Sequence, residues 1–476
     1  MSEIPMQSQI GPIPATGRIW TPAHRWLTIG LILTVTAAAF EALAVATTLP
    51  ATARDLGGLA LYGWVFSAFM LTNLIGIMIA GAEADRRGPA RPFLIAIVLF
   101  TVGLALAGLA PNMGVLIFGR AVQGFGAGGI SSVAYVAIGR GYPEATRPRM
   151  LAVLASAWVV PGLIGPALAG LVVDHIGWRW VFLGLVPFPL IALILAFPAL
   201  RALNTDSAAP PDWRRPITAV RLALGTGLFM AGLGQAWLPL ATLLIVLGAV
   251  LAWPALRQLL PEGTFRLERG LPASVATAGL LNLAFFGVDA FVPLALTVGR
   301  GQSATVAGIA LTAATITWTT GSWVQAHVAQ RQSRRRVTSI GLILIAAGII
   351  GVTAALAPTM PVAVVPIAWG VAGLGMGLAY SAISLAVLET APPGQEGVAT
   401  AAMQLANVLT IALGTGLGGV FIAASNARSG ATSAGLLAQN LLMIGVVVVA
   451  LLTALRLPGQ PTSDDTRPAH EQPTTA

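Results

Sequence analysis

Gly81-Ala82-Glu83-Ala84-Asp85-Arg86-Arg87-Gly88-Pro89-Ala90-Arg91 lies between two long apolar runs, and the fold turns on what so charged a stretch does there. A tight helix-to-helix reversal needs a residue that takes positive φ, and Gly88 can do so without steric cost. Charge at a membrane edge is expensive unless it is paired. Asp85, Arg86 and Arg87 therefore need partners or a task. The plain alternative is a basic inside loop with an incidental Asp.

Composition says where the flanking runs live. The 476-residue chain is 56% hydrophobic and 9% charged, against about 25% charged in soluble proteins. It belongs mostly in lipid. With no cysteine, disulfides, thiol nucleophiles and thiolate metal sites are excluded. All 26 basic residues are Arg, which excludes a lysine P-loop or Schiff base. The net charge of +9 suggests an anionic neighbour. Because the arginines sit in short loops, that neighbour reads as lipid headgroups and not nucleic acid. His24, His175, His327 and His470 are scattered, so no metal site is expected.

A spanning helix needs about 20 mostly apolar residues. Fourteen such runs are found, near 27–50, 60–82, 92–110, 113–138, 150–173, 179–200, 216–235, 237–256, 272–297, 303–328, 336–357, 360–389, 397–424 and 432–455. The seventh and eighth are separated only by Gly234-Gln235-Ala236, and read as a tight hairpin or one broken element. If the N-terminus is inside, 21 arginines fall in inside segments and four outside (Arg54, Arg179, Arg300, Arg428), with Arg120 within a run. This positive-inside bias puts both termini in the cytoplasm. Residues 1–25 read as a cytoplasmic tail and 456–476, polar and Pro/Thr-rich, as a disordered one.

The turn also recurs. Ala326, Gln330 and Ser333 stand where Gly81, Asp85 and Gly88 stand, at an offset of 245, so the second copy keeps its arginines and loses its acid. Parallel repeats of this kind divide the chain into a six-helix half at 26–200, a linker with two inserted helices at 201–271, and a second six-helix half at 272–455.

These features resemble the major facilitator superfamily. Gly81, Asp85, Arg86 and Gly88 match its motif A. The following basic pair is replaced by Pro89-Ala90, with Arg91 one position on. A carboxylate there can accept from the N-terminal amides of a helix in the other half. The resemblance makes that helix the thirteenth, near Gly397, and Asp85 with Arg86 a conformational latch. Leu116-Ile117-Phe118-Gly119-Arg120-Ala121-Val122-Gln123-Gly124 resembles motif B, whose arginine is Arg120. A buried guanidinium must be paired or face a wet cavity, and Gln123 and Gly124 follow within a turn. Gly162, Gly165, Pro166 and Gly170 resemble motif C of the antiporters, with Ala169 replacing one glycine. Small residues at that spacing let helices approach closely, and Pro166 bends the helix.

Two acids lie deep in apolar runs. Glu41, with Pro50 nine positions on, resembles a first-helix pattern of fourteen-helix drug:proton antiporters, which usually carry Asp there. Asp289 sits in the ninth run; Glu41 shifted by 245 falls at Phe286, one turn away. The two acids are expected to face one cavity from opposite halves and, with Arg120, to couple protons. The competing reading of Glu41 is a structural carboxylate paired permanently with Arg120. Asp174 and Glu389 fall at helix ends, where solvated or capping roles are the default. Trp64, Phe69, Asn73, Trp158, Asn282, Phe286, Trp318, Tyr380, Gln404 and Asn407 are candidate cavity residues, since aromatics with a few amides suit an amphipathic ligand. Trp178 and Trp180 read as interfacial anchors.

The expectation is thus an all-α integral membrane protein of the major facilitator fold, with fourteen transmembrane helices. It is expected to be a monomer in the bacterial cytoplasmic membrane that exports small amphipathic compounds by proton antiport, with no cofactor beyond H+. Export of a lipid or specific metabolite, or import by symport, is the alternative within transporters. A membrane-embedded lipid-linked transferase would need nucleophile or acid clusters at a membrane face, and the outside loops are too short and too poor in such groups.

Overall fold

The computed structural model describes residues 20–21, 24–204, 213–329 and 331–459. Most of both expected tails, part of the linker and Gln330 lie outside the described residues. Among the described residues the secondary structure is helical throughout. In the first half α1 covers Arg25–Leu56, α2 Tyr62–Arg87, α3 Ala90–Gly108 and α4 Met113–Gly141. They are followed by α5 at Arg147–Ser156, α6 at Val159–His175, α7 at Arg179–Leu183 and α8 at Pro187–Ala202. The inserted pair is α9, Arg214–Leu233, and α10, Leu238–Leu259. The second half begins with α11 at Leu271–Asp289, the short α12 at Val292–Leu294 and α13 at Ala304–Val328. It ends with α14 at Arg334–Ala354, α15 at Val364–Thr390, α16 at Glu396–Ser429 and α17 at Ser433–Ala454.

Thirteen helical segments are long and apolar enough to cross a membrane. The remaining long helix, α13, is diluted by six threonines and the tail Ser322, Gln325 and His327. The fifth expected run is interrupted at Ala157-Trp158 and the sixth at Gly184 to Val186. Proline follows each interruption, at Pro161 and Pro187, and has no amide to offer the preceding turn. The Gly234-Gln235-Ala236 stretch is a hairpin, and α9 packs back against α10. Leu222 of α9 and Ala255 of α10 share a buried cluster with Leu71 of α2 and Leu405 of α16, so the insert touches both halves.

The charged stretch is less of a loop than its composition implies. Gly81 to Arg87 complete α2, and only Gly88 and Pro89 form the reversal. Gly88 has φ 91°, and a Cβ there would fall 2.4 Å from the Cα of Asn204. The Asn204 side chain in turn accepts from the Ala90 amide at 3.2 Å, capping α3. Gly88→Ala is therefore expected to destabilise the protein by roughly 1–3 kcal/mol, read as a lowered midpoint of thermal unfolding in detergent. An unchanged midpoint would refute this account of the turn.

Turns such as 88–89, 142–146 and 331–333 share one face of the bundle with most of the arginines, here called the arginine-rich face. The opposite, arginine-poor face carries turns such as 57–61 and 300–303.

Candidate functional site

The first half encloses a buried ion pair. Arg120 on α4 is 2% exposed and Glu41 on α1 is 1% exposed. Arg120 Nη1 donates to Glu41 Oε1, and also to Gln123 Oε1 at 2.6 Å. Its Nε donates to the Val65 carbonyl at 3.3 Å, and its guanidinium carbon lies 4.2 Å from the centre of the Phe69 ring. Glycines make the approach possible. A Cβ on Gly124 would lie 2.2 Å from the Phe69 carbonyl oxygen, so α4 meets α2 backbone to backbone. Glu41 Oε2 and Gln123 Nε2 are buried with no hydrogen-bond partner. One carboxylate oxygen is thus held by arginine and the other is left open.

The second half carries a polar and aromatic cluster. Asn282 Nδ2 on α11 donates to Asn407 Oδ1 on α16 at 2.9 Å. Asn407 Nδ2 donates to Gln404 Oε1 at 3.1 Å and to Tyr380 Oη at 3.3 Å. Trp318 stands edge-on to Tyr380 at 6.1 Å and near Phe286 at 6.1 Å. Phe285 stacks on Trp369 at 4.9 Å, and Trp369 Nε1 donates to Asp289 Oδ1 at 2.8 Å. Six candidate residues from four helices therefore meet, and Asp289 is anchored behind them. Half-buried rings over a hydrogen-bonded amide network, with Gln404 exposed at its edge, form a surface that can take an apolar body and orient a polar group. Asn407→Ala is expected to weaken binding of an amphipathic dye about tenfold, since it removes the amide that links three partners. Equilibrium dye binding checks this, and unaltered affinity would exclude the cluster as the binding surface.

Other expectations meet a different geometry. Glu41 and Asp289 are held by different partners: Glu41 is sealed against Arg120, and Asp289 is half-buried and accepts from Trp369. Phe69 is 5% exposed and lies under the Arg120 guanidinium, so it packs and does not line a cavity. Trp158 is 48% exposed at the joint between α5 and α6. Trp64 and Asn73, both on α2, are half-buried. Trp178 is buried and donates to Asp55 at 3.0 Å; of the expected anchor pair only Trp180 is exposed.

Motif A is not engaged across the halves. The Asp85 side chain is 76% exposed, 4.0 Å from Arg140 of its own half, and Arg140 also donates to the Asp85 carbonyl at 2.9 Å. Arg86 and Arg87 pair with Glu83 at 3.4 and 3.0 Å, and Arg91 is exposed. Gly81 lies against α4, where a Cβ would meet Ser132 Oγ at 2.8 Å. The first turn of α16, the expected partner of Asp85, has its own acid: Glu396 accepts from the Gly394 amide at 3.1 Å. The second half replaces the lost acid from elsewhere, since Glu389 on α15 accepts from Arg334 Nη2 at 2.8 Å and from its Nε.

The halves are tied near the arginine-poor face. Tyr62 Oη donates to the Ala290 carbonyl at 3.3 Å, and Ser67 Oγ to the Ala412 carbonyl at 2.8 Å. The glycines of motif C line the seam between α6 and α13. A Cβ on Gly162 would lie 2.7 Å from Thr315, and one on Gly170 2.5 Å from the Ala304 carbonyl oxygen. Pro166 presents its carbonyl oxygen to Gly308, whose Cβ would lie 2.2 Å away; Gly165 faces Phe40 of its own half. At the end of this seam Asp174 accepts from the Ala304 amide at 3.1 Å, the Thr305 amide at 2.9 Å and the Thr305 hydroxyl at 2.6 Å. A carboxylate on a helix N-terminus of the other half was expected of Asp85; here Asp174 provides it. Its position at a helix end was visible in the sequence, but the half that it caps was not.

Two helical halves meeting along glycine-lined seams, with charge inside one and a polar, aromatic surface on the other, define a multi-pass membrane transporter. The profile of the Major Facilitator Superfamily matches residues 29–294, and the chain belongs to that superfamily. It is a transporter and not an enzyme. It is 28% identical to the multidrug transporter protein MdtP of Bacillus subtilis over 85% of this chain and 76% of that protein. It is 26% identical to multidrug resistance protein 3 of the same organism over 79% of this chain and 75% of that one. Among solved structures it resembles an inward-facing, unoccupied bacterial homologue of the human lysosomal transporter Spinster. That likeness covers 92% of this chain and 96% of that one, with a TM-score of 0.61 at 14% identity.

Proposed function

We propose that the protein exports small amphipathic, drug-like compounds across the bacterial cytoplasmic membrane by alternating access, in exchange for protons. The observation that carries the coupling is the buried Glu41–Arg120 pair with one carboxylate oxygen unpartnered. An added proton would weaken the grip on Arg120 and so link protonation to the packing of α1 against α4. Drug export is supported by the named multidrug relatives and by the aromatic–amide cluster around Asn407. The working unit is taken as a monomer in the bilayer, with H+ as its only coupling partner.

Fourteen membrane crossings follow if α13 spans as well. Its threonines support this, because Thr315, Thr319 and Thr320 hydroxyls donate to carbonyls one turn back and need no water. The positive-inside bias then makes the arginine-rich face cytoplasmic and places both termini there. In that orientation the conformation is closed outside by the Asp174 cap and the motif C seam. Asp85 then stands released inside, and would dock on the N-terminus of α16 when the inner ends come together. Asp289, beside the binding surface and hydrogen-bonded by Trp369, is the second proton acceptor.

The test is transport in proteoliposomes with an imposed pH gradient. Wild type should move a fluorescent amphipathic dye faster with the gradient than without. Asp289→Asn should keep its folding stability and lose at least about tenfold of the gradient-driven rate, the loss expected for removing a positioned proton carrier. Wild-type flux that ignores the gradient would sink the antiport reading.

A further inference from the structure

A cavity outside the transport machinery opens at the arginine-rich end of the second half, with a volume of about 360 Å³. Its walls come from three separate elements: the lead-in to α11, the first turn of α14 and the segment after α17. Each contributes one arginine, Arg269, Arg335 and Arg456 respectively. Among the described residues no carboxylate lines it. None of the hydrogen bonds or ion pairs described involves the Arg269 or Arg335 guanidinium, while Arg456 Nη1 donates to the Leu267 carbonyl at 2.6 Å and the Arg266 carbonyl at 3.2 Å. Leu267 is the only non-glycine residue with positive φ, 54°, among the described residues. That conformation is costly for a branched side chain, and here Arg456 holds it. The α14 end is tied in too, since the Arg335 amide donates to the Pro458 carbonyl at 3.4 Å.

Three positive charges from distant parts of the chain are thus gathered around a space of ligand-binding size with no carboxylate among the described residues that line it. Arginine forks match phosphate oxygens in geometry as well as charge. Leu455 and Leu457 line the same cavity where α17 ends, and Leu455 is 47% exposed. A ligand fitting both features carries a phosphate on an apolar body. We propose that this cavity binds the phosphate headgroup of an anionic phospholipid from the inner leaflet. The proposal rests on the orientation given above only for the choice of leaflet. Basic pockets at helix ends on the cytoplasmic side are chemically suited to such headgroups.

The test uses the purified, delipidated full-length protein, with retained lipid counted by native mass spectrometry. Dioleoyl-phosphatidylglycerol should be retained in preference to dioleoyl-phosphatidylcholine. Arg269→Gln with Arg335→Gln should weaken that retention roughly 30-fold, the loss of two arginine–lipid attractions. Arg201→Gln with Arg221→Gln removes equal charge from α8 and α9, which do not line the cavity, and should leave retention within about threefold of wild type because charges on other elements act only through screened solvent. Arg269→Lys with Arg335→Lys, which keeps the charge, should retain most of the lipid and guards against a folding defect in the Gln pair. Equal losses in the two Gln pairs would overturn the site in favour of diffuse surface charge. Displacement of the lipid by glycerol-3-phosphate or inorganic phosphate at matched concentration would overturn the lipid source and identify a soluble phosphate ligand. Equal retention of the two lipids by wild type would overturn the proposal outright.

Discussion

Glu41→Gln is expected to abolish proton-driven transport and to destabilise the protein by about 3–5 kcal/mol, because it leaves Arg120 charged, buried and without a counter-ion. The surroundings give Arg120 little else. The Val65 carbonyl and Gln123 Oε1 accept from it, and the Phe69 face offers a weak attraction, but none of these carries a full charge. The pair should also act as a unit. Arg120→Gln added to Glu41→Gln should recover most of the lost stability, because two uncharged amides can be buried in the same space at far lower cost. Coupling should not return, since the carboxylate that takes the proton is gone. Thermal unfolding and gradient-driven flux, measured on the same three variants, separate the two effects. If Glu41→Gln transported with a normal response to the gradient, Glu41 would be a structural carboxylate and Asp289 alone would remain as the coupling acid.

Gly308→Leu should hold the two halves apart on the arginine-poor face and reduce transport to below about a hundredth of wild type. The Cβ of any larger residue would sit 2.2 Å from the Pro166 carbonyl oxygen, where both partners are backbone and neither can rotate away. Overpacking that cannot relax costs a few kcal/mol. A two-state equilibrium moves about a hundredfold for every 2.7 kcal/mol. Asp174→Asn should act in the same direction more mildly, by about 1–2 kcal/mol, since it weakens the charge-assisted bonds to the α13 N-terminus while keeping the shape. Gly445, where a Cβ would meet nothing within 4 Å, supplies the silent control. The chain has no cysteine, so a pair of spin labels placed on α6 and α13 reports their separation without background. Wild-type distances in a stable Gly308→Leu protein would show that this seam is not what closes the face.

How much of this was legible in the sequence depends on the range of the interaction. Span positions were, because the need for some 20 apolar residues acts on each segment alone. So was the importance of Arg120 and Glu41, since a charge in an apolar run requires a partner wherever it is. Phe69 was placed wrongly because an aromatic on α2 looks the same whether it lines a cavity or covers a guanidinium on α4. Trp369 and Phe285 gave no signal, being ordinary apolar residues of their helices until α11 and α15 pack together. Asp174 was passed over because a helix-end acid is usually solvated or caps its own neighbours.

The opening stretch shows the same division. Its sequence alone determined a reversal at Gly88, a basic membrane edge and a family resemblance, all consequences of local backbone freedom and of the cost of charge in lipid. The tertiary structure decided that Gly81 to Arg87 stay helical, that Asp85 faces Arg140, and that the carboxylate bridging the halves in this conformation is Asp174. Which helix N-terminus a carboxylate meets depends on how two rigid halves lie against each other. That is a property of the whole bundle, and no single segment encodes it.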